Sequence, residues 1–193
     1  MDINKCIKII ENSIKDPTKG LPEDIFLFLT RLSPLINVDL LIKNPQNQTL
    51  LTWRQAGESY GPGWHVPGGI IRYKESMYER IEKVAQLEFG AKIHYEKTPI
   101  LVNEIIRCPE RKNRGHFISF LFDCQLISQL DEQLHHSVGE PQSEEWMWHK
   151  ECPVDIIPVH LMYKEVLNGE KPLDECTSDF GISRIILLII TRL

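Results

Sequence analysis

An α/β domain is what this sequence predicts, and three features of its patterning predict it. An apolar run, Leu35 to Ile42, has the length and composition of a strand; a capped amphipathic helix runs from Ser76 to Phe89; and two more strand-like stretches, 99–107 and 116–126, follow that helix. Strands and helices alternating along one chain of 193 residues fit a single core with terminal additions, and two full domains are not expected.

The elements justify themselves in order. Residues 1–33 read as a helical N-terminal extension, an appendage made of two pieces, Ile3 to Ile14 and Pro22 to Leu32, around the turn formers Asp16-Pro17-Thr18-Lys19-Gly20. Leu35 to Ile42 is a strand whose polar members are Asn37 and Asp39. The turn Asn44-Pro45-Gln46-Asn47-Gln48 then leads into a second strand, Thr49 to Trp53, so a hairpin is expected. Gly57 to Gly63 is a loop. Ser76 and Glu79 form a capping box; Met77, Ile81, Val84 and Ala85 recur at helical spacing; and Phe89-Gly90 stops the helix. Glu145 to Trp148 is a short strand, with Trp146 and Trp148 on one face as core residues and Met147 opposite. Val154 to Leu167 reads as helical, with Pro158 starting its second segment. The run Ile185 to Ile190 is wholly apolar but far short of a bilayer span, so it is expected as a buried or partner-facing strand or a docked terminal helix.

Composition narrows the function. The net charge of −5 lacks the basic excess that binding a phosphate backbone requires, so nucleic acid is not the expected partner. Five dispersed cysteines without a C-x-x-C pair argue against a disulfide framework or a structural zinc site and fit a reducing cytoplasm. The N-terminus shows no secretory signal pattern, and no membrane association is expected.

The chemistry concentrates at Pro67-Gly68-Gly69, then Glu75, then a helix carrying Lys83 and Glu88 and closing at Gly90. Paired glycines let backbone groups approach a ligand, and a carbonyl there could bind a metal. Glu88 sits on the helix face of Val84 and Ala85, so a carboxylate emerges at the end of an apolar stripe. Glu75, just ahead of the helix, is expected to satisfy backbone donors or the helix dipole.

These residues resemble a Nudix box. Gly69, Glu75, Ala85, Glu88, Gly90 and Ala91 match that pattern and Lys83 stands for its arginine, while Val84 and Leu87 occupy positions where the pattern has metal-binding glutamates. The GDP-mannose mannosyl hydrolase branch is similar in keeping only the last glutamate. The resemblance extends through Pro34 to Asp39, Trp64 to Gly69, Gly115-His116-Phe117 and Val159-His160, roughly residues 34–165. It implies a Nudix fold, a mixed β-sheet sandwiched between α-helices, over 34–168, with 169–193 as a C-terminal tail.

It also implies a site. One Mg²⁺ or Mn²⁺ would be held by the Gly68 carbonyl, Glu88 and Gln142 together with substrate diphosphate oxygens, a hard oxygen set suited to those ions. Arg54 would assist the leaving diphosphate, and Asp39 and His116 would contact substrate. The general-base histidine of the branch is Ser143 here, which leaves Glu144, or less well Glu145, to take the proton; on a strand only one of the two points inward. A family arginine is Ile70, with Arg72 as its partial replacement, and Lys83 divides between phosphate contact and a solvated face. The resemblance implies a homodimer that hydrolyses a nucleoside diphosphate sugar of the GDP-mannose or GDP-glucose type. Attack at phosphorus, or a non-catalytic nucleotide-binding protein, are the alternatives. The remaining histidines, His65 among them, are expected to be surface or packing residues, and the basic run Arg107 to Arg114 a solvated loop.

Overall fold

The computed structural model describes residues 2–58, 60–106 and 116–170 in full and the backbone of 185–188. Within them a mixed sheet, in the order β4-β1-β7-β6-β9, carries β1 (Leu35–Ile42), β4 (Gly68–Ile70), β6 (Leu101–Ile106), β7 (His116–Leu126) and β9 (Ile185–Leu188), and β5 (Ile93–Tyr95) pairs with the far end of β7. A smaller antiparallel sheet orders β3 (Gly63–His65), β2 (Thr49–Arg54) and β8 (Trp146–His149). The helices are α1 (Ile3–Ser13), α2 (Glu23–Leu29), α3 (Met77–Phe89) and α4 (Lys164–Leu167).

Period-two alternation in β1 decides which helix covers which face. Val38, Leu40 and Ile42 join Ile81, Val84, Ala85 and Phe89 of α3 in one core, while Leu41 turns the other way, toward Tyr163, Val166 and Leu167 around α4. The sheet is therefore sandwiched between helices, as expected. Trp146 and Trp148 pack on the α3 side and Met147 on the opposite side.

Helix α3 follows its sequence signals closely. Ser76 accepts from Glu79 N–H, the Glu79 carboxylate accepts from Ser76 N–H, and Gly90 leaves the helix at φ 66°, a left-handed conformation that favours glycine.

The expected hairpin is half formed. Asn44 Oδ1 accepts from the N–H groups of Gln46 and Gln48, at 3.0 and 2.9 Å, and Lys43 bridges Thr49. Beyond that bridge the strands separate into different sheets. All of β1 is engaged by β7, in parallel from Leu35↔Phe117 to Ile42↔Cys124, while β2 takes β3 and β8 as partners. Tertiary pairing thus overrides the local turn. Three short strands, β3, β4 and β5, lack the length to be read from alternation. Of the stretch 154–167, the segment before Pro158 is not helical, and a 3-10 turn from Pro158 to Tyr163 leads into α4.

Glu144 and Glu145 precede β8 in a turn instead of lying on a strand, with Glu145 N–H donating to the Gln142 carbonyl at 3.1 Å. Of the apolar C-terminal run, Ile185–Leu188 form β9, parallel to β6. Cys6, Cys124 and Cys152 are free thiols, and burial pushes the Cys124 thiol up to about 12. Cys108, Cys176 and the basic run Arg107 to Arg114 lie outside the described residues. Among the described residues no helix is long and apolar enough to cross a membrane.

Candidate active site

The two sheets diverge after the 44–48 turn, and the space between them is closed by the end of α3. This geometry brings Thr52 and Arg54 of β2, His65 of β3, Gly69 and Ile70 of β4 and Glu88 of α3 to one cavity of about 610 Å³. That volume is ordinary for a small-molecule site. Close approach of β4 depends on its two glycines. A side chain at Gly68 would run into the Asp39 carboxylate and the Val38 carbonyl, and a Cβ on Gly69 would lie 3.0 Å from Val84 Cγ2. The paired glycines therefore admit the chain's own strand and helix, which places β4 beside Glu88.

Glu88 is the centre of the cavity's polar end. Its Oε1 accepts from Gly68 N–H at 3.1 Å and its Oε2 from the Thr52 hydroxyl at 2.7 Å. His65 Nε2 lies 3.2 Å from Thr52 Oγ1 and 3.3 Å from Glu88 Oε2. Since the Thr52 hydrogen is given to Glu88, Nε2 carries the proton that faces this pair. Burial works to raise the Glu88 carboxyl, but the imidazole, the hydroxyl and the more distant Arg54 charge outweigh it and hold the group below its ordinary value. Glu88 is thus an anion held in place at the cavity wall.

The other candidates divide. Arg54 borders both this cavity and a smaller one of about 80 Å³ that contains Asp39. Asp39 faces the α4 side of the sheet, where it accepts from the Ser119 hydroxyl and, at 2.6 Å, from Tyr163 OH. Burial raises its carboxyl to about 6, against the lowering effect of those hydroxyls and of Arg54. Arg72 lines the main cavity and donates from Nη1 to the Lys19 carbonyl at 2.7 Å. Glu144 lines it too, with backbone φ 68°, a conformation that non-glycine residues seldom adopt and that often accompanies functional positions. Glu145 is engaged elsewhere, accepting from His136 Nδ1 at 2.8 Å and from Gln142 N–H at 2.9 Å.

Gly68 borders the smaller cavity beside Asp39, and three candidates line neither cavity. Gln142 accepts from Gln55 Nε2 at 3.3 Å and donates to the Glu140 carbonyl at 3.0 Å. Lys83 is bonded to Glu75 at 2.8 Å, and His116 pairs with Glu104 at 2.9 Å on β6. Glu75 itself is a structural carboxylate. Burial opposes its charge, yet Lys83, the Arg72 N–H and Arg80 bring it down to about 2.

Sequence reasoning missed His65 and Thr52. They are register partners across β2 and β3, and that register was not visible in two short strands. It also missed the N-terminal extension, which contributes Pro17, Gly20, Leu21, Phe26 and Leu29 to the cavity wall. His149 and His160 are buried, and His160 accepts from Val66 N–H at 2.9 Å and borders the smaller cavity.

The donor set suits a hard divalent cation in one respect only. Glu88 and Glu144 present oxygen to the cavity, but among the described residues no group of three or more His, Cys, Asp or Glu side chains gathers as a ligand set. The side chains alone build no cage; they fit a Mg²⁺ that keeps waters and takes phosphate oxygens from its substrate.

No family model matches the chain. In sequence it is similar to the low-salt glycan biosynthesis protein Agl8 of Haloferax volcanii, 31% identical over 85 residues, or 44% of this chain and 53% of that protein. The chain thus spans about half the length of the curated relative it matches. In structure it is similar to a Nudix hydrolase from Nitrosomonas europaea, with 19% identity, 70% of each chain covered and a TM-score of 0.51. It is similar also to a possible asymmetric diadenosine tetraphosphate hydrolase from Jonesia denitrificans, with 17% identity, 73% of this chain and 98% of that one covered, and a TM-score of 0.54. The chain has the Nudix fold.

Proposed function

We propose that this protein is a Mg²⁺-dependent hydrolase of a nucleoside diphosphate sugar, of the GDP-mannose or GDP-glucose type, that releases nucleoside diphosphate and free sugar. The observation that carries the reading is that Arg54, Glu88 and Glu144 face one small-molecule cavity. Arg54 is suited to neutralise charge developing on the leaving diphosphate. Glu144 accepts a proton from the attacking water as the oxygen bonds to the anomeric carbon and the bond from that carbon to the diphosphate breaks. Glu88 and the Gly68 carbonyl would hold the metal, which supplies further charge neutralisation on the phosphates, and Gln142 would join them only by turning in from outside the cavity. Asp39 and Arg72 contact substrate from the smaller cavity and from the rim. Lys83 and His116 take part only if substrate extends past the cavity. The Haloferax relative is named as a glycan biosynthesis protein, which supports a sugar-linked substrate. A homodimer is part of the same proposal.

A second reading, attack at phosphorus to give a nucleoside monophosphate and a sugar phosphate, is favoured by one observation. Ser143 follows Gln142 where the resemblance calls for an imidazole, and its hydroxyl donates to Glu58 at 3.1 and 3.2 Å. Incubation with nucleotide sugars and Mg²⁺ in ¹⁸O-water, followed by mass spectrometry, decides between them. Label in free sugar supports attack at carbon, and label in a phosphate product supports attack at phosphorus. No product from any nucleotide sugar would sink both.

A further inference from the structure

We propose that the N-terminal extension builds the nucleobase subsite of this cavity, so that residues outside the sheet and α3 determine which nucleotide is accepted. This rests on the nucleotide reading above and adds where the base lies. Helix α2 buries none of its residues completely, although its sequence, Glu-Asp-Ile-Phe-Leu-Phe-Leu, is largely apolar. Leu29 remains 41% exposed. An apolar helix left without a full covering is explained by what it faces. Leu21, Phe26 and Leu29 line the same cavity as Glu88, together with Leu35, Ile70 and Ile71.

The extension is tied to the core through Arg72. Asp16 caps the short turn that follows it, accepting from Thr18 N–H at 3.0 Å and from the Thr18 hydroxyl at 2.6 Å, and Arg72 reaches from the core to the Lys19 carbonyl at 2.7 Å. That contact sets the wall beside the cavity that Arg72 also lines.

Polarity along the site sets which part of a substrate goes where. Around Arg54 and Glu88 the groups are charged, which suits phosphates. On the far side of Arg54 the smaller cavity offers Asn37, Asp39 and Ser119, hydrogen-bonding groups of the kind a sugar's hydroxyls need. The extension offers aliphatic and aromatic side chains, against which a hydroxylated sugar would leave its polar groups unsatisfied. A base has two apolar ring faces and can pack there. The base thus lies against α2, the diphosphate at Arg54 and Glu88, and the sugar toward Asp39.

Isothermal titration calorimetry with two probes tests this on the full chain. GDP with Mg²⁺ spans the charged and apolar regions, and inorganic pyrophosphate with Mg²⁺ occupies the charged region only. Phe26→Ala is expected to weaken GDP binding about tenfold while leaving pyrophosphate within about twofold. Leu29→Asn, at an exposed position that tolerates a polar side chain, is expected to shift the same ratio in the same direction, and circular dichroism checks that each variant is folded. Equal losses for both probes, an unchanged ratio in Leu29→Asn, or a wild-type protein that does not favour GDP over pyrophosphate would overturn the subsite. Hydrolysis fails independently. A protein that discriminates GDP through α2 yet turns over no nucleotide sugar keeps this subsite and loses the proposed activity; active protein whose variants keep the wild-type ratio does the reverse.

Discussion

The two ends of α3 each carry a glutamate, and the two are held in opposite ways. At the N-terminal end Glu75 has its carboxylate wrapped by Arg80 at 2.6 Å, Lys83 at 2.8 Å and the Arg72 N–H, and its side chain is 4% exposed. At the C-terminal end Glu88 accepts from a hydroxyl, an imidazole and one backbone amide, and it opens onto the cavity with 18% exposure. Two adjacent cations spend the first charge inside the protein. A hydroxyl, an imidazole and a backbone amide orient the second while leaving one side of it open to the cavity. A carboxylate's role is therefore legible from its partners: cations packed against it make an internal brace, whereas orienting donors and an open side make a binding group.

The largest effect expected from breaking this contrast is on stability. Glu75→Gln leaves Arg80, only 6% exposed on its side chain, without its charge partner, and urea denaturation should show a loss of about 3 kcal/mol. Because folding lowers the Glu75 carboxyl from 4.5 to about 2, its contribution is complete above about pH 4.5 and disappears as pH falls toward 2. The variant should lack that part of the acid slope, so a wild-type and variant pair that unfold in parallel from pH 5 to pH 2 would contradict the brace.

Next in size, Glu88→Gln should preserve the melting temperature within a few degrees but reduce Mg²⁺-dependent turnover on the order of 100-fold. Turnover that survives intact would remove Glu88 from the site. A smaller loss follows from the group that orients it. His65→Phe keeps an aromatic ring in a buried position while removing the Nε2 proton, and about a tenfold drop in Mg²⁺ affinity, read from the metal dependence of the rate, is expected. Smallest of all is Lys83→Met. The Lys83 side chain is itself 56% exposed, so a change within about 1 kcal/mol in stability and no change in KM are expected. A raised KM would instead show that substrate reaches beyond the cavity.

How far the sequence carried depended on whether a feature was local. The capping box of α3, its apolar stripe and the Gly90 stop are encoded within a few residues of one another and appear as read. The strand character of β1 and β7 was equally plain, since each buries one side on α3 and the other on α4 and is apolar along much of its length. The hairpin failed because its turn is local while strand pairing is not: β7 competes for β1 along its whole length. Glu144 and Glu145 were assigned to a strand because two residues before β8 look no different from β8 itself, although a turn stabilised by Gln142 holds them.

What this sequence determined by itself was therefore the α/β class, the helix that carries Glu88 and the glycine pair beside it, because capping, periodicity and the absence of a Cβ act over one or two turns of chain. Only the tertiary structure decided that His65 and Thr52 clasp Glu88, that Lys83 and His116 stand apart from the cavity, and that an N-terminal extension read as an appendage forms its apolar wall. Each of those depends on registers and packing between segments distant in sequence, and nothing in the local pattern of either segment records the other.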